Sequence, residues 1–238
     1  DIIHEDQDIL IINKPAGMVV HPGAGNHQGT LVNALLHHSP PLEGVPRAGI
    51  VHRIDKGTTG LLMIAKTLQA HNSLVSQLQA RTVQREYQAI AMGVMTAGGT
   101  VDKPIGRHHT ERKRMAITNT GKPATTHYRV EQRFRAHTHI RCKLETGRTH
   151  QIRVHMAHIR YPLLGDPSYG GRLRLPKGAS ETCQQALQNF KRQALHAGLL
   201  GFIHPKTEQE VSWRIDIPDD MQTILNILAD DMLQEVEK

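Results

Sequence analysis

Asp55 stands in the run Gly49-Ile50-Val51-His52-Arg53-Ile54-Asp55-Lys56-Gly57-Thr58-Thr59-Gly60, a carboxylate set between an apolar, strand-like segment and a glycine-rich turn. An ionised carboxylate can act as a nucleophile or stabilise a developing positive charge, provided that the chain holds it still. Val51, Ile54 and the run from Leu61 to Ile64 offer buried walls on both sides, and Gly57 and Gly60 permit a sharp bend between them. On local pattern alone the commoner use of such an Asp is a turn or a cap. The wider sequence has to decide between these uses.

Other residue types that carry chemistry point elsewhere or nowhere. The 17 histidines invite a metal reading, above all His150, His155 and His158. On a helix His155 and His158 share a face, but His150 lies five residues from His155, about 140° away at 3.6 residues per turn. No carboxylate falls at a matching position, so these histidines read as hydrogen-bonding groups and no metal is expected. The glycines of Gly23-Ala24-Gly25-Asn26-His27-Gln28-Gly29 are spaced GxGxxxG, one residue too long for a dinucleotide fingerprint, and no suitably placed acidic strand end follows. Asp55-Lys56-Gly57-Thr58-Thr59 loosely resembles the DKTGT segment of ion-pumping ATPases. The order of Gly and Thr differs, however, and no DxD cluster is present to hold magnesium. No cofactor is expected.

Charge indicates the partner. Lys plus Arg number 29 against 22 Asp plus Glu, a formal net charge of +7 in 238 residues, which favours a polyanion. The excess is local: residues 81–160 carry 16 Lys/Arg and 5 Asp/Glu. A non-catalytic RNA-binding module would also fit that stretch. One Trp, three Phe and four Tyr are too few for the stacking platforms of sequence-tolerant single-strand binders. Cys142 and Cys183 form no CxxC or zinc pattern and no disulfide framework, which fits a reducing, cytoplasmic compartment. No run approaches the length of a membrane span, and no apolar signal stretch opens the chain.

The elements that must position Asp55 can be read from hydrophobic period and turn residues. Strands are expected at Ile2-Ile3, Ile9 to Ile12, Met18 to His21, Leu61 to Lys66, Arg85 to Val94, Thr125 to Phe134, His139 to Glu145, Leu195 to Ile203 and Glu210 to Ile217. Helices are expected over Thr30 to His38 (Leu31, Ala34 and Leu35 inward), Thr67 to Ala80 (Leu68, Leu74, Val75 and Leu78 inward), His150 to His158, Glu181 to Phe190 and Asp219 to Gln234. A polar hairpin spans Asp102 to Lys122, long enough to suggest a working loop. Strand pairs joined by tight turns, with helices placed irregularly, predict an α+β fold with a mixed, mainly antiparallel central sheet flanked by helices and loops. A single catalytic domain over residues 1–238 is expected. Residue 1 is Asp rather than Met, which is compatible with a chain that continues upstream.

Six segments, read together, shift the expected use of Asp55. HRIDKGTTGLLMIAKT (52 to 67) resembles the catalytic motif of the pseudouridine synthases related to the large-subunit ribosomal RNA enzymes. INKPAGMVVHPGAG (12 to 25), REY (85 to 87), LETGRTHQIRVHMAH (144 to 158), PLLGDPSYGG (162 to 171) and QALHA (193 to 197) are similar to further segments of that family, in the family's order. The resemblance implies the pseudouridine synthase catalytic fold, an isomerase acting on structured RNA without a cofactor, and a small RNA-binding domain upstream in full-length members. Large-subunit ribosomal RNA or the assembling large subunit becomes the expected partner, and a monomer the expected state.

The resemblance also implies roles. Asp55 becomes the nucleophile, Arg148 its charge partner, and Tyr87 the tyrosine that stacks on the target base. Arg53 is similar to the arginine that fills the gap left by a flipped nucleotide, a sensible use of a planar guanidinium. Lys14, His52, Ile152 and Leu195 match positions that line or buttress the pocket, with His52 and Arg53 also expected to meet RNA. Arg107, Arg112, Lys113 and Arg114 of the polar hairpin are expected to grip phosphates. Asp166 reads as a turn carboxylate that the resemblance places near the site.

Overall fold

The computed structural model describes residues 1–23 and 28–236. In chain order it contains β1 (Ile2–Glu5), β2 (Ile9–Lys14), α1 (Leu31–His38), two short 3-10 turns (Pro40–Gly44 and Pro46–Gly49), β3 (Thr59–Ala65) and α2 (Leu68–Gln79). β4 (Gln84–Met92), β5 (Gly99–Asp102), β6 (Ile105–Arg107), β7 (Met115–Ile117), β8 (Thr125–Arg133) and β9 (His137–Leu144) follow. After these come α3 (Gln151–His158), α4 (Glu181–Asn189), β10 (Leu195–Ile203), β11 (Glu210–Arg214) and α5 (Asp219–Val236). The class is α+β with mainly antiparallel pairing, as the sequence predicts. The chain forms two compact units, one of Asp1–Arg85 with Ala197–Ile215, the other of Glu86–His196 with the residues from Asp216 onward.

In the first unit β2 pairs antiparallel with β1 on one side and β3 on the other, and β11 pairs with β10. All seven residues of β3 are buried. Ile9 and Ile11 of β2, Leu61 and Met63 of β3, Leu74 of α2 and Leu200 of β10 meet in one core cluster, which explains why Leu61 to Ile64 reads as an uninterrupted apolar run. Thr67 caps α2, its hydroxyl accepting the Ala70 N–H at 3.1 Å. Leu68 is 56 % exposed rather than inward, because the buried stripe of α2 follows Ala70 and Leu74, four residues apart. Ala34 of α1 is likewise exposed, leaving Leu31 and Leu35 as the buried face of that short helix.

The strand expected at Met18 to His21 does not form. The carbonyls of Val19 and Val20 instead accept the first two N–H groups of α1, from Leu31 at 2.8 Å and Val32 at 3.2 Å. These are donors that a helix cannot satisfy itself, so the segment is a cap. Residues 24–27 of the glycine-rich loop lie outside the described residues.

In the second unit the strand order is β4-β9-β8-β5, with β6 and β7 forming a separate hairpin. Ile90 and Met92 of β4 join Cys183 and Leu187 of α4 and Met221, Ile224 and Leu228 of α5 in the main core. A smaller cluster of Ile105, Ala124, Val154 and Tyr169 seats the β6–β7 hairpin against α3.

Candidate active site

Asp55 is half-buried in the connection that enters β3. Three sets of bonds hold that connection. The Thr58 N–H donates to the Asp55 main-chain carbonyl at 3.0 Å, closing a turn around Lys56 and Gly57. The Lys56 carbonyl accepts from the Gly17 N–H at 2.8 Å and from Lys14 Nζ at 3.2 Å. Lys14 is fully buried, and its ammonium also donates to the carbonyls of Pro15 (2.7 Å) and Met18 (3.0 Å). Three carbonyls thus match its three donors, tying the Pro15–Met18 loop to the turn that presents Asp55. Lys14 thus braces this part of the chain from within.

The bend is made at Gly60. Its φ is +114°, and a Cβ there would lie 2.3 Å from the Ala197 carbonyl oxygen. Only glycine allows both the conformation and the approach. Gly49 has a similar role one turn earlier, with φ +77° and a Cβ position 2.0 Å from the Ala65 oxygen. The two residues before it, Arg47 and Ala48, also have left-handed backbone, at φ 54° and 52°. Non-glycine residues are held so only where their surroundings compel it.

His52 faces inward. Its Nε2 accepts the Met63 N–H of β3 at 3.0 Å, so the ring proton resides on Nδ1. Part of the residue remains accessible, but burial of the ring, with the Arg85 charge adding to it, pushes its pKa down to about 3. His52 is therefore a neutral acceptor fixing the segment before Asp55, and carries no charge with which to attract a phosphate. Arg53 is exposed, and its charge and that of Arg47, after burial, help to lower the pKa of His21.

In the second unit Tyr87 lies in β4, 7 % exposed, opposite Cys142 of β9, which in turn lies opposite Tyr128 of β8. Arg148 is half-buried in the loop between β9 and α3. Its Nε donates to the Pro123 carbonyl at 3.0 Å and its main-chain N–H to Gln151 Oε1 at 3.0 Å. Gln151 organises this loop. Its side chain also accepts from Thr146 Oγ1 (2.8 Å) and donates to the Thr125 carbonyl (2.9 Å) and Thr126 Oγ1 (3.0 Å). A buried amide making four bonds was legible only as the Gln of the GRTHQIR segment. Ile152 and Leu195 are buried at 3 % and 4 % exposure, in the first turn of α3 and at the start of β10.

Arg107, Arg112 and Lys113 of the basic hairpin are exposed. Arg114 is engaged: its Nη1 donates to Glu111 at 2.8 Å, and its guanidinium stands 5.2 Å from the centre of the Tyr169 ring. Asp166 is buried and bidentate with Arg153, at 2.7 and 2.8 Å, while its Oδ1 accepts the N–H groups of Ser168 (2.8 Å) and Tyr169 (3.0 Å). It is a turn carboxylate, as its sequence suggests, and half of a buried ion pair as well. His155 is fully buried between Thr126 Oγ1 and the Lys103 carbonyl, both at 2.9 Å, whereas His158 is exposed.

The RNA pseudouridylate synthase family model matches residues 8–158. The chain is 60 % identical over 231 residues to ribosomal large subunit pseudouridine synthase D of Pseudomonas aeruginosa, covering 97 % of this chain and 72 % of that protein. It is 59 % identical to the protein of the same name from Escherichia coli K12, covering 97 % and 71 %. Among solved structures, human RNA pseudouridylate synthase domain containing 4 superposes with a TM-score of 0.74 at 26 % identity, over 96 % of this chain and 92 % of that one. Human RNA pseudouridylate synthase domain containing 1 shares the fold, with a TM-score of 0.69 at 23 % identity over 99 % and 94 %. The Asp55 and Arg148 segments both fall inside the matched region, and the chain belongs to the RNA pseudouridylate synthase family, whose members are isomerases.

Proposed function

We propose that this protein converts uridines of large-subunit ribosomal RNA to pseudouridine as a cytoplasmic monomer, with Asp55 as nucleophile and no cofactor. In that reaction the bond between the sugar's C1′ and base N1 breaks and a C1′–C5 bond forms. C5 gives up its hydrogen to water and N1 takes a proton. Attack at carbon 6, attack at the anomeric carbon and glycal formation all begin from an ionised Asp55 carboxylate. Arg148 would offset the cost of removing that carboxylate from water, and Tyr87 would stack on the base. Arg53 and the hairpin residues Arg107, Arg112 and Lys113 would meet the RNA, with Ile152 and Leu195 lining the pocket.

The observation that carries this reading is the restraint on Asp55. The turn that presents it is fixed by Lys14, by the Gly17 N–H and by the forced bend at Gly60, which is the preorganisation a nucleophile needs. The relatives' names support the substrate. The two cysteines support a reducing compartment: both are buried and unpaired, and burial pushes their thiols up to about 12 for Cys142 and about 11 for Cys183. Among the described residues no helix is long and apolar enough to cross a membrane.

The test is to incubate the protein with large- and small-subunit ribosomal RNA transcripts and map pseudouridine by carbodiimide-dependent stops to reverse transcription. Stops at discrete positions of the large-subunit transcript are expected. Stops confined to the small-subunit transcript would refute the assigned substrate.

A further inference from the structure

Tyr169 joins three segments that the sequence keeps far apart. Its hydroxyl accepts the Met115 N–H of β7 at 2.8 Å and lies 2.8 Å from His150 Nδ1, at the N-cap of α3. With its oxygen accepting from Met115, the hydroxyl proton is free to point at His150 Nδ1. Two cations stand over the ring, the Arg114 guanidinium at 5.2 Å and that of Arg153 at 5.0 Å from its centre, and Arg153 is in turn locked by Asp166. Asp166 also fixes the Tyr169 main chain through its N–H. The basic β6–β7 hairpin is thereby fastened, at a strand residue directly after its charged tip, to the residue that opens α3 two positions beyond Arg148. His150 itself has left-handed backbone, φ 58°, so its ring is aimed by a conformation that few residues adopt.

We propose that Tyr169 is a positioning residue for RNA affinity, its hydroxyl setting the pose of the basic hairpin relative to the Arg148 loop. The inference rests on the reading that this hairpin grips RNA. A phosphate-binding hairpin gains affinity from being held in its bound pose in advance. Tyr169 touches no reacting atom in this account, so its hydroxyl should govern KM and leave kcat nearly unchanged.

Tyr169→Phe keeps the ring and both cation contacts and removes only the hydroxyl. Single-turnover and steady-state kinetics on a large-subunit RNA fragment would be measured for the wild type, Tyr169→Phe, the Arg112→Ala/Lys113→Ala protein and the triple variant. The expected result is a KM raised about tenfold by Tyr169→Phe, equivalent to about 1.4 kcal/mol, with kcat within about twofold of wild type. Little further increase is expected when the change is made in a protein already lacking the two hairpin charges, because coupled groups are not additive. A weakened Arg112→Ala/Lys113→Ala protein beside an unimpaired Tyr169→Phe would refute the positioning role alone. A fall in kcat at unchanged KM, or a full Tyr169→Phe effect persisting without the hairpin charges, would also refute it. If loss of the hairpin charges leaves KM unchanged, the RNA-grip reading fails and the positioning role fails with it.

Discussion

Replacing Asp166 by alanine should cost more stability than any other single carboxylate removal in the second unit. The Arg153 and Asp166 side chains are 5 % and 0 % exposed, and both bonds between them are short, at 2.7 and 2.8 Å. Removing the acid takes one member from a buried ion pair, which typically costs about 3 to 5 kcal/mol. It also frees the Ser168 and Tyr169 N–H groups that Asp166 accepts. Asp166→Asn retains an acceptor for those N–H groups without the charge, and should fall between wild type and alanine. At about 2 to 4 °C per kcal/mol for a chain of this size, a loss of about 4 kcal/mol lowers Tm by roughly 8 to 16 °C. Urea unfolding followed by circular dichroism gives the free energy directly. A loss below about 1 kcal/mol for Asp166→Ala would show that water already reaches the Arg153 guanidinium, and would undo the claim that this pair anchors the Tyr169 turn.

Burial drives three histidines well below their ordinary pKa: His52 to about 3, His137 to about 4 and His196 to about 4. An unfolded histidine titrates near 6.5, so between about pH 6.5 and 4 the unfolded chain binds protons that the native chain refuses, and stability falls as pH falls. At pH 5 each should cost about 2 kcal/mol, visible as a steep drop in Tm between pH 7 and 5; a flat profile would contradict the burial of these rings. Neither ring nitrogen of the fully buried His137 has a hydrogen-bond partner among the described residues. His137→Leu should therefore stabilise the protein by about 1 to 2 kcal/mol and soften the acid dependence, and destabilisation at neutral pH would argue against an unsatisfied ring. Removing the exposed charges of Arg112 and Lys113 should flatten the log–log salt dependence of RNA binding by roughly 0.7 to 0.9 per lost phosphate contact. Arg114, paired with Glu111, should matter less, and an unchanged slope would remove the hairpin from the RNA interface.

The order and type of most elements were legible because apolar period is a strong signal in this chain: the buried run of β3 and the Thr67 cap of α2 both stand where the residues put them. Met18 to His21 misled because alternation cannot tell a strand from a segment whose carbonyls cap a following helix. Leu68 misled because the first turn of a helix can lie off its buried stripe. Asp55 and Arg148 stand out through motif resemblance rather than through local pattern. The supporting residues were harder to read. That Gln151 makes four bonds, that Lys14 is matched by three carbonyls, and that Tyr169 bridges β7 to α3 depend on contacts such as Gln151–Thr125, Lys14–Lys56 and Tyr169–Met115, whose partners stand 26, 42 and 54 residues apart in sequence. No spacing rule reports such contacts. The inward turn of His52 was hidden for the same reason, since its acceptor role follows from a bond to Met63 in the next strand.

The role of Asp55 is the centre of this account, and one measurement addresses it. RNA carrying tritium at C5 of uridine releases that tritium to water only when C5 exchanges its hydrogen for the new bond to the sugar. Wild type and Asp55→Asn would be compared on a tritiated large-subunit transcript, with RNA binding measured alongside. Asparagine is close in size and keeps the main-chain bond from Thr58, so the variant should fold and bind RNA. The account predicts tritium release by the wild type and none above background by Asp55→Asn at matched RNA occupancy; release by the variant at a comparable rate would contradict it.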